Sequence, residues 1–175
     1  MQKTVLTFGL ISGGLTSAMM IATVPFADAI GFDKGAIIGY TSIVLAALVI
    51  FFGIRSYRDN VGDGQVGFGR ALSVGLLISV ISCLCYVVTW EILYFKVMPD
   101  FADKFAAHMV ERVRASGGSP EQIAETTRRA ASFKQMYDNP LINAALTFIE
   151  PFPISLVVSV ISAAILRKKS PGVGV

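Results

Sequence analysis

Long apolar stretches separated by short charged segments dominate the pattern of this chain. The clearest of them runs from Ala71 to Trp90, twenty residues without a formal charge. At about 1.5 Å of rise per residue, such a helix crosses a bilayer hydrocarbon core of about 30 Å. Three further stretches of the same kind flank it. The pattern therefore predicts four transmembrane helices, at about residues 4–27, 35–54, 71–95 and 141–166.

The main polar segment lies between the third and fourth predicted spans and has the pattern of two amphipathic helices. Apolar residues recur at every fourth position from Phe101 to Val113, which indicates a helix with one apolar stripe. Gly117-Gly118 ends that helix, and Ser119-Pro120-Glu121-Gln122 has the form of a capping box that starts another. We expect a helical hairpin at about residues 99–138, its apolar faces packed together or on the membrane surface.

Small residues at every fourth position in three of the predicted spans favour a close bundle, because small side chains let helices approach each other in lipid. They serve contacts within one chain or between protomers equally well. The predicted fold class is an all-α membrane protein of one domain, residues 1–175, with four transmembrane helices in a bundle and an extramembrane hairpin between helices 3 and 4. The three strings are Gly9, Gly13 and Ser17; Ala71, Gly75, Ser79 and Cys83; and Ser155, Ser159 and Ala163.

Composition agrees with this class. With 54% hydrophobic and 15% charged residues, the chain is too apolar for an ordinary soluble domain. Its net charge of +3 needs no nucleic-acid partner, because the basic residues lie mostly beside the spans. Ala27-Asp28-Ala29 has the form of a signal-peptidase site, but the apolar run before it exceeds the length expected of a signal peptide.

The basic residues beside the spans predict the orientation. Only Lys34 lies in the short loop between the first two spans, whereas the turn after the second span and the C-terminal segment are rich in arginine and lysine. By the positive-inside rule, both termini and that turn are cytoplasmic and the hairpin is on the opposite side. The predicted cytoplasmic anchors are Arg55, Arg58, Arg70, Arg167, Lys168 and Lys169.

Two glutamates, Glu91 and Glu150, are predicted near the outer edge of the apolar core, with Tyr86 and Tyr94 at similar depth. Carboxylates inside a membrane are costly and are functional hypotheses by default, although a residue near the interface can also reach headgroups or water. The four residues form the candidate polar site. Whether the two glutamates share it is left open by the sequence.

No pattern in the chain indicates a metal, a cofactor or a catalytic centre. His108 is the only histidine, and we expect it to pack at an interface rather than bind metal. Cys83 and Cys85 point to different faces of one helix. Gly62-x-Gly64-x-x-Gly67 matches the letters of a dinucleotide fingerprint, but it joins two membrane helices instead of a strand and a helix.

The chain resembles a bacterial family of small four-span membrane proteins known only as a domain of unknown function. The resemblance implies a four-span bacterial membrane protein with a soluble segment between spans three and four, and it brings no catalytic residue, substrate or cofactor. We expect its location to be the bacterial inner membrane. It rests on Lys3-x4-Phe8-Gly9-Leu10-Ile11-Ser12-Gly13, Gly53-Ile54-Arg55-x-Tyr57-Arg58-Asp59, Phe68-Gly69-x-Ala71-x3-Gly75-Leu76, Tyr86, Trp90, Pro99-Asp100-Phe101, Asn139-Pro140 and Ile165-Leu166-Arg167-Lys168-Lys169.

Three functions compete at this point. The favoured one is an accessory or interaction protein that presents the external hairpin to a membrane or periplasmic partner, or to a second copy. The alternative is a small oligomeric transporter or ion-coupled carrier that uses Glu91 and Glu150. An integral membrane enzyme is disfavoured, because converging histidine, aspartate or cysteine side chains are not evident in the sequence.

Overall fold

The computed structural model describes residues 1–168, and these fold almost entirely into helices. A 3-10 turn, Val24–Phe26, joins the first two helices, and a π-helical turn, Leu93–Val97, extends the third. The predicted anchor Lys169 lies outside the described residues. The helices are α1 (Gln2–Thr23), α2 (Ala27–Asn60), α3 (Phe68–Ile92), α4 (Phe101–Ala115), α5 (Pro120–Tyr137), α6 (Pro140–Ile149) and α7 (Phe152–Leu166).

Three helical stretches, rather than the predicted four, are long and apolar enough to cross a membrane: Gln2–Asn60, Phe68–Val97 and Pro140–Leu166. The difference arises because the predicted loop at residues 28–34 is helical on both sides of Gly31. Gly31 has φ 72° and ψ 168°, a backbone conformation that glycine adopts without steric cost. The first stretch, of 59 residues, therefore contains both of the first two predicted spans.

The chain folds back on itself at Gly31, so that α1 and α2 pack side by side. The Ser12 hydroxyl donates to the carbonyl oxygen of Ala46 at 2.9 Å. A Cβ placed on Gly53 would lie only 3.1 Å from the Cβ of Phe8. Ser12 follows Phe8 in α1, whereas its partner Ala46 precedes Gly53 in α2, so the two helices are antiparallel.

The small residues of α1, α3 and α7 lie at contacts between these helices. A Cβ on Gly13 would come within 2.5 Å of the Cys85 side chain, and a Cβ on Gly75 within 3.0 Å of Ser159. The Ser79 and Ser159 hydroxyls hydrogen-bond across the α3–α7 contact at 3.2 Å. These small residues thus serve contacts within one chain, a choice that the sequence left open, because any larger side chain would separate the helices.

One end of the bundle, which we call the basic end, carries the predicted anchors in residues 1–168. The turn between α2 and α3 pairs with the residues after α7 through an antiparallel bridge between Val66 and Lys168. The turn is compact, because a Cβ on Gly62 would lie 2.2 Å from the Gln65 carbonyl oxygen and Gly64 has φ 78°. The bridge brings the basic residues of the turn and of the C-terminal segment to the same end of the molecule.

Helices α4 and α5 form a hairpin that packs on the other end of the bundle, the hairpin end. The capping box predicted at Ser119 is confirmed, with Gln122 as its second member. The rings of Phe105 and Phe133 join the two helices, with centroids 5.1 Å apart. The apolar stripe of α4 also contacts the bundle, since the ring centroids of Phe101 and Trp90 of α3 lie 5.0 Å apart.

Phe32, next to the helix break at Gly31, inserts into this aromatic layer. Its ring centroid lies 5.6 Å from Phe101, 5.3 Å from Phe105 and 5.1 Å from His108. His108 is therefore packed at an interface, as the sequence predicts. The contacts attach the hairpin to both α2 and α3, so its apolar stripe covers the bundle end rather than facing solvent.

Candidate functional site

A cavity of about 970 Å³ lies between the hairpin and the bundle. Its wall is formed by the end of α1, the first turns of α2, the end of α3 and the facing sides of α4, α5 and α6. We call it the hairpin cavity. Most of the wall is apolar or aromatic, including Met19, Met20, Ile38, Ile43 and Phe133. A cavity of this size and character is typical of a site for a small organic ligand.

Glu150 and Tyr86 of the predicted polar site meet on the wall of this cavity. Glu150 lies at the break between α6 and α7, where Pro151 and Pro153 start a new helix because neither residue has an N–H to continue the old one. The Tyr86 hydroxyl donates a hydrogen bond to Glu150 Oε2 at 3.1 Å. The break therefore presents the carboxylate to the cavity, and α3 supplies its donor.

Two more tyrosines, Tyr40 of α2 and Tyr137 of α5, line the same cavity. Burial raises the pKa of Tyr137, and the negative charges of Glu150 and of an ionised Tyr40 raise it further. Such influence requires proximity, so the three groups share one electrostatic environment. The sequence analysis missed both tyrosines, because neither lies near Glu150 in the chain and no local pattern indicates which way they face.

The other two predicted site residues lie elsewhere. Tyr94 is buried, with 3% of its surface exposed, and donates to Asp138 Oδ1 at 3.1 Å, at the junction of α5 and α6. Glu91 is half-buried, and its Oε1 has no hydrogen-bond partner in residues 1–168. Neither residue belongs to the cavity wall in this part of the chain. The structure thus brings Tyr86 and Glu150 together and leaves Tyr94 and Glu91 outside the cavity.

Asn143 of α6, which the sequence analysis did not single out, hydrogen-bonds to three residues of the cavity wall. It is fully buried, at 0% exposure. Its Oδ1 accepts hydrogen bonds from Trp90 Nε1 at 3.0 Å and from Thr147 Oγ1 at 3.1 Å. Its Nδ2 donates to the carbonyl oxygen of Tyr137 at 3.0 Å. One amide therefore joins α3, α5 and α6. In the sequence, Asn143 is recognisable only as a polar residue at the start of an apolar run.

Charged residues line the cavity where it opens beside the hairpin. Lys104 Nζ of α4 lies 3.2 Å from Asp28 Oδ1 of α2 and 3.0 Å from Oδ2 of Asp100, the residue before α4. The hydrogen bond from Lys104 holds the pKa of Asp100 below its usual range. Together with Asp33, Lys34 and Glu150, these residues place four carboxylates and two lysines on the wall. The cavity is therefore net negative when His108 is neutral, whereas the whole chain has a charge of +3.

The arrangement offers a carboxylate, hydroxyls and aromatic faces, but no cluster suited to metal binding. No group of three or more histidine, cysteine, aspartate or glutamate side chains that could hold a metal occurs in the described part of the chain. The side chains on the wall can contact a ligand by charge, hydrogen bonding and apolar contact.

Comparison with known proteins gives a family but no described relative. No curated protein and no solved structure matches the chain. Residues 7–168 match the family described as a protein of unknown function, DUF4199. This match includes all seven helices except the first residues of α1, and with them the whole hairpin cavity. The chain therefore belongs to the DUF4199 family, as its resemblance to a domain of unknown function predicts.

Proposed function

We propose that the chain is a four-span protein of the bacterial inner membrane, with both termini in the cytoplasm and the hairpin on the opposite side. The antiparallel packing of α1 and α2 supports two spans within Gln2–Asn60. The gathering of basic residues at one end supports a cytoplasmic location for that end. The hairpin end, in contrast, mixes acidic and basic side chains at Asp28, Asp33, Lys34 and Lys104.

The function that the geometry supports best is binding of an amphipathic small molecule beneath the hairpin. The observation that carries this proposal is the hairpin cavity itself, about 970 Å³ of mostly apolar space that contains the Tyr86–Glu150 hydrogen bond. A purely structural hairpin would be expected to close against the bundle, because empty apolar volume forfeits contacts and destabilises a fold. A ligand that fills this volume would recover those contacts.

In this proposal the protein has an accessory role, and the hairpin serves as the cover of the binding site. The outer faces of α4 and α5 remain exposed and charged, with ion pairs such as Arg129 to Glu125 at 2.8 Å. That face is the surface we assign to a membrane or periplasmic protein partner or to a second copy of the chain, while the lipid bilayer surrounds the bundle.

A second candidate, an oligomeric ion-coupled carrier, is favoured by one observation. Glu91 Oε1 is buried without a hydrogen-bond partner in residues 1–168, which is costly unless the group takes up a proton or an ion. In proteoliposomes the carrier would show proton or solute flux that Glu91→Gln abolishes. A binding protein would show ligand affinity without flux.

The binding proposal can be tested with Trp90, the only tryptophan, which lies on the cavity wall. Bromodecanol, with bromine on the terminal carbon, should quench Trp90 fluorescence saturably in protein reconstituted into nanodiscs. Gly39 also lines the cavity, and a Cβ placed on it meets no atom within 4 Å, so Gly39→Phe should fill the space and remove the saturable phase. Gly14, which is equally open but lies outside the cavity, gives the matched control Gly14→Phe.

Saturable quenching in the wild type and in Gly14→Phe, but not in Gly39→Phe, would support the proposal. Identical, non-saturating quenching in all three proteins would show that the probe reaches Trp90 only from the lipid, and would overturn it.

A further inference from the structure

We propose that the ligand of the hairpin cavity carries an ammonium group on an apolar body, and that Glu150, Tyr86, Tyr40 and Tyr137 recognise this cation. The inference rests on the proposed binding function and adds the chemical class of the ligand to it. Three features of the cavity support it: the lack of a cationic partner for Glu150 within residues 1–168, the aromatic side chains around it, and the charge balance of the wall.

Glu150 lacks a basic partner, although it lines a mostly apolar cavity. Within residues 1–168, no lysine, arginine or histidine nitrogen lies within 4.0 Å of its carboxylate. Its one side-chain hydrogen bond comes from the neutral hydroxyl of Tyr86. Glu150 is exposed on the cavity wall, and a hydrogen bond between an ammonium group and a carboxylate is stronger than one between neutral groups, so the remaining oxygen is suited to a cationic ligand.

The aromatic residues around Glu150 suit the same ligand. Tyr40, Tyr86 and Tyr137 come from three different helices and line one cavity with the carboxylate. The faces of aromatic rings attract ammonium cations, and cages of this kind bind quaternary ammonium groups. An anionic ligand would find only repulsion from Glu150, and a neutral one would leave the carboxylate without a counter-charge.

The charge of the wall favours a cation at Glu150. Four carboxylates and two lysines line the cavity; Lys104 is paired with Asp28 and Asp100, and Asp33 is paired with Arg112 at 3.5 Å, so Glu150 is the wall carboxylate without an ion pair in residues 1–168. A cleft of one sign with low-dielectric walls concentrates ligands of the opposite sign. The ammonium group has two natural sources, a free amphipathic amine and the headgroup of an ethanolamine phospholipid, and both present the same chemistry to Glu150.

The test compares three probes with the same brominated ten-carbon tail and different headgroups: trimethylammonium, alcohol and carboxylate. Trp90 quenching is measured in nanodiscs made of digalactosyldiacylglycerol alone, because this lipid has neither a net charge that would sort the probes nor an ammonium group that would compete with them. We expect the trimethylammonium probe to bind the wild type about tenfold more tightly than the alcohol, and the carboxylate probe to bind most weakly. Glu150→Gln should remove the tenfold preference and leave the affinity for the alcohol unchanged.

Glu125→Gln is the matched control, because Glu125 is an exposed α5 residue paired with Arg128 and Arg129 and lies outside the cavity wall. It should retain the full preference. Tyr86→Phe tests the cation site independently if Glu150→Gln fails to fold, and should reduce the preference while keeping the aromatic face. Equal affinities for all three probes, or an unchanged preference in both cavity variants, would overturn the inference.

The outcomes separate this inference from the proposed function. Saturable binding of the alcohol without any preference for the ammonium would refute the cation site and leave the binding cavity intact. Absence of saturable binding for every probe would refute both. Repeating the titration in nanodiscs that contain phosphatidylethanolamine identifies the source: weaker apparent affinity for the ammonium probe assigns the lipid headgroup as occupant, and unchanged affinity assigns a free amine.

Discussion

Replacement of Asn143 by alanine should loosen the junction between the hairpin and the bundle. The substitution removes two hydrogen bonds accepted by Oδ1 and one donated by Nδ2. It leaves Trp90 Nε1 and the Tyr137 carbonyl without these partners. The side chain is fully buried, so water cannot replace it without entering the structure.

The magnitude follows from the three bonds. Hydrogen bonds contribute about 1 kcal/mol each in soluble proteins and about 0.6 kcal/mol between membrane helices, so we expect a loss of about 2–3 kcal/mol. Asn143→Leu keeps most of the volume but none of the hydrogen bonds. If the hydrogen bonds dominate, the leucine variant should lose nearly as much stability as the alanine variant. If packing dominates, leucine should restore most of it.

The assay is unfolding in mixed micelles, with helix content followed by circular dichroism and the junction followed by Trp90 fluorescence. Trp90 emission should change wavelength in both variants, because the indole N–H loses its partner Asn143. Asn60→Ala is the control, since the Asn60 amide is exposed and bonds only to Ser56 in its own helix. Stability and Trp90 emission equal to those of the wild type in Asn143→Ala would refute the reasoning.

Three further predictions concern topology and the hairpin. Single cysteines at Asp63 and Ser116, in a protein lacking Cys83 and Cys85, should differ in labelling by an impermeant thiol reagent on spheroplasts: the second should react and the first should not, and the reverse would invert the proposed orientation. Phe105→Asp should make α4 and α5 sensitive to protease, because it places a charge among the rings that join them; equal resistance would contradict this packing. Lys104 holds the pKa of Asp100 below the ordinary aspartate value of about 3.9. The ion pair therefore stabilises the start of α4 fully at pH values above about 3.9, and this stabilisation is lost as the pH falls through the lowered pKa. The protection factor against amide exchange in the first turn of α4 should therefore fall in acid, and Lys104→Gln should abolish this pH dependence.

Several features of the protein follow from sequence alone, because they depend on local chemistry. A long uncharged apolar run predicts a membrane-spanning helix from its length and composition, without reference to the rest of the fold. The Ser119–Gln122 capping box is confirmed because both of its hydrogen bonds form within one helical turn. The spacing of small residues correctly indicates close helix contacts, since a period of four selects one face of a helix.

The partners of those faces were decided only by tertiary structure. Periodicity shows that Gly75 and Ser79 share a face, but not that the face meets Ser159 of α7 rather than another protomer. The number of spanning stretches likewise depends on Gly31, where a positive φ lets helix continue to both sides of a sharp break instead of forming the predicted loop.

The candidate site shows the same division. The sequence predicts similar depths for Glu91, Glu150, Tyr86 and Tyr94, because depth is predicted by counting residues along a helix. The sequence could not predict how each side chain is rotated about its helix axis. This rotation lets Tyr94 hydrogen-bond to Asp138 and Tyr86 to Glu150. The sequence also could not assign Tyr137 to the site. Tyr137 belongs to the hairpin, and it lines the cavity because its ring packs against Tyr94 and holds α5 on the bundle. A site built by side chains from separate helices exists only once those helices are packed.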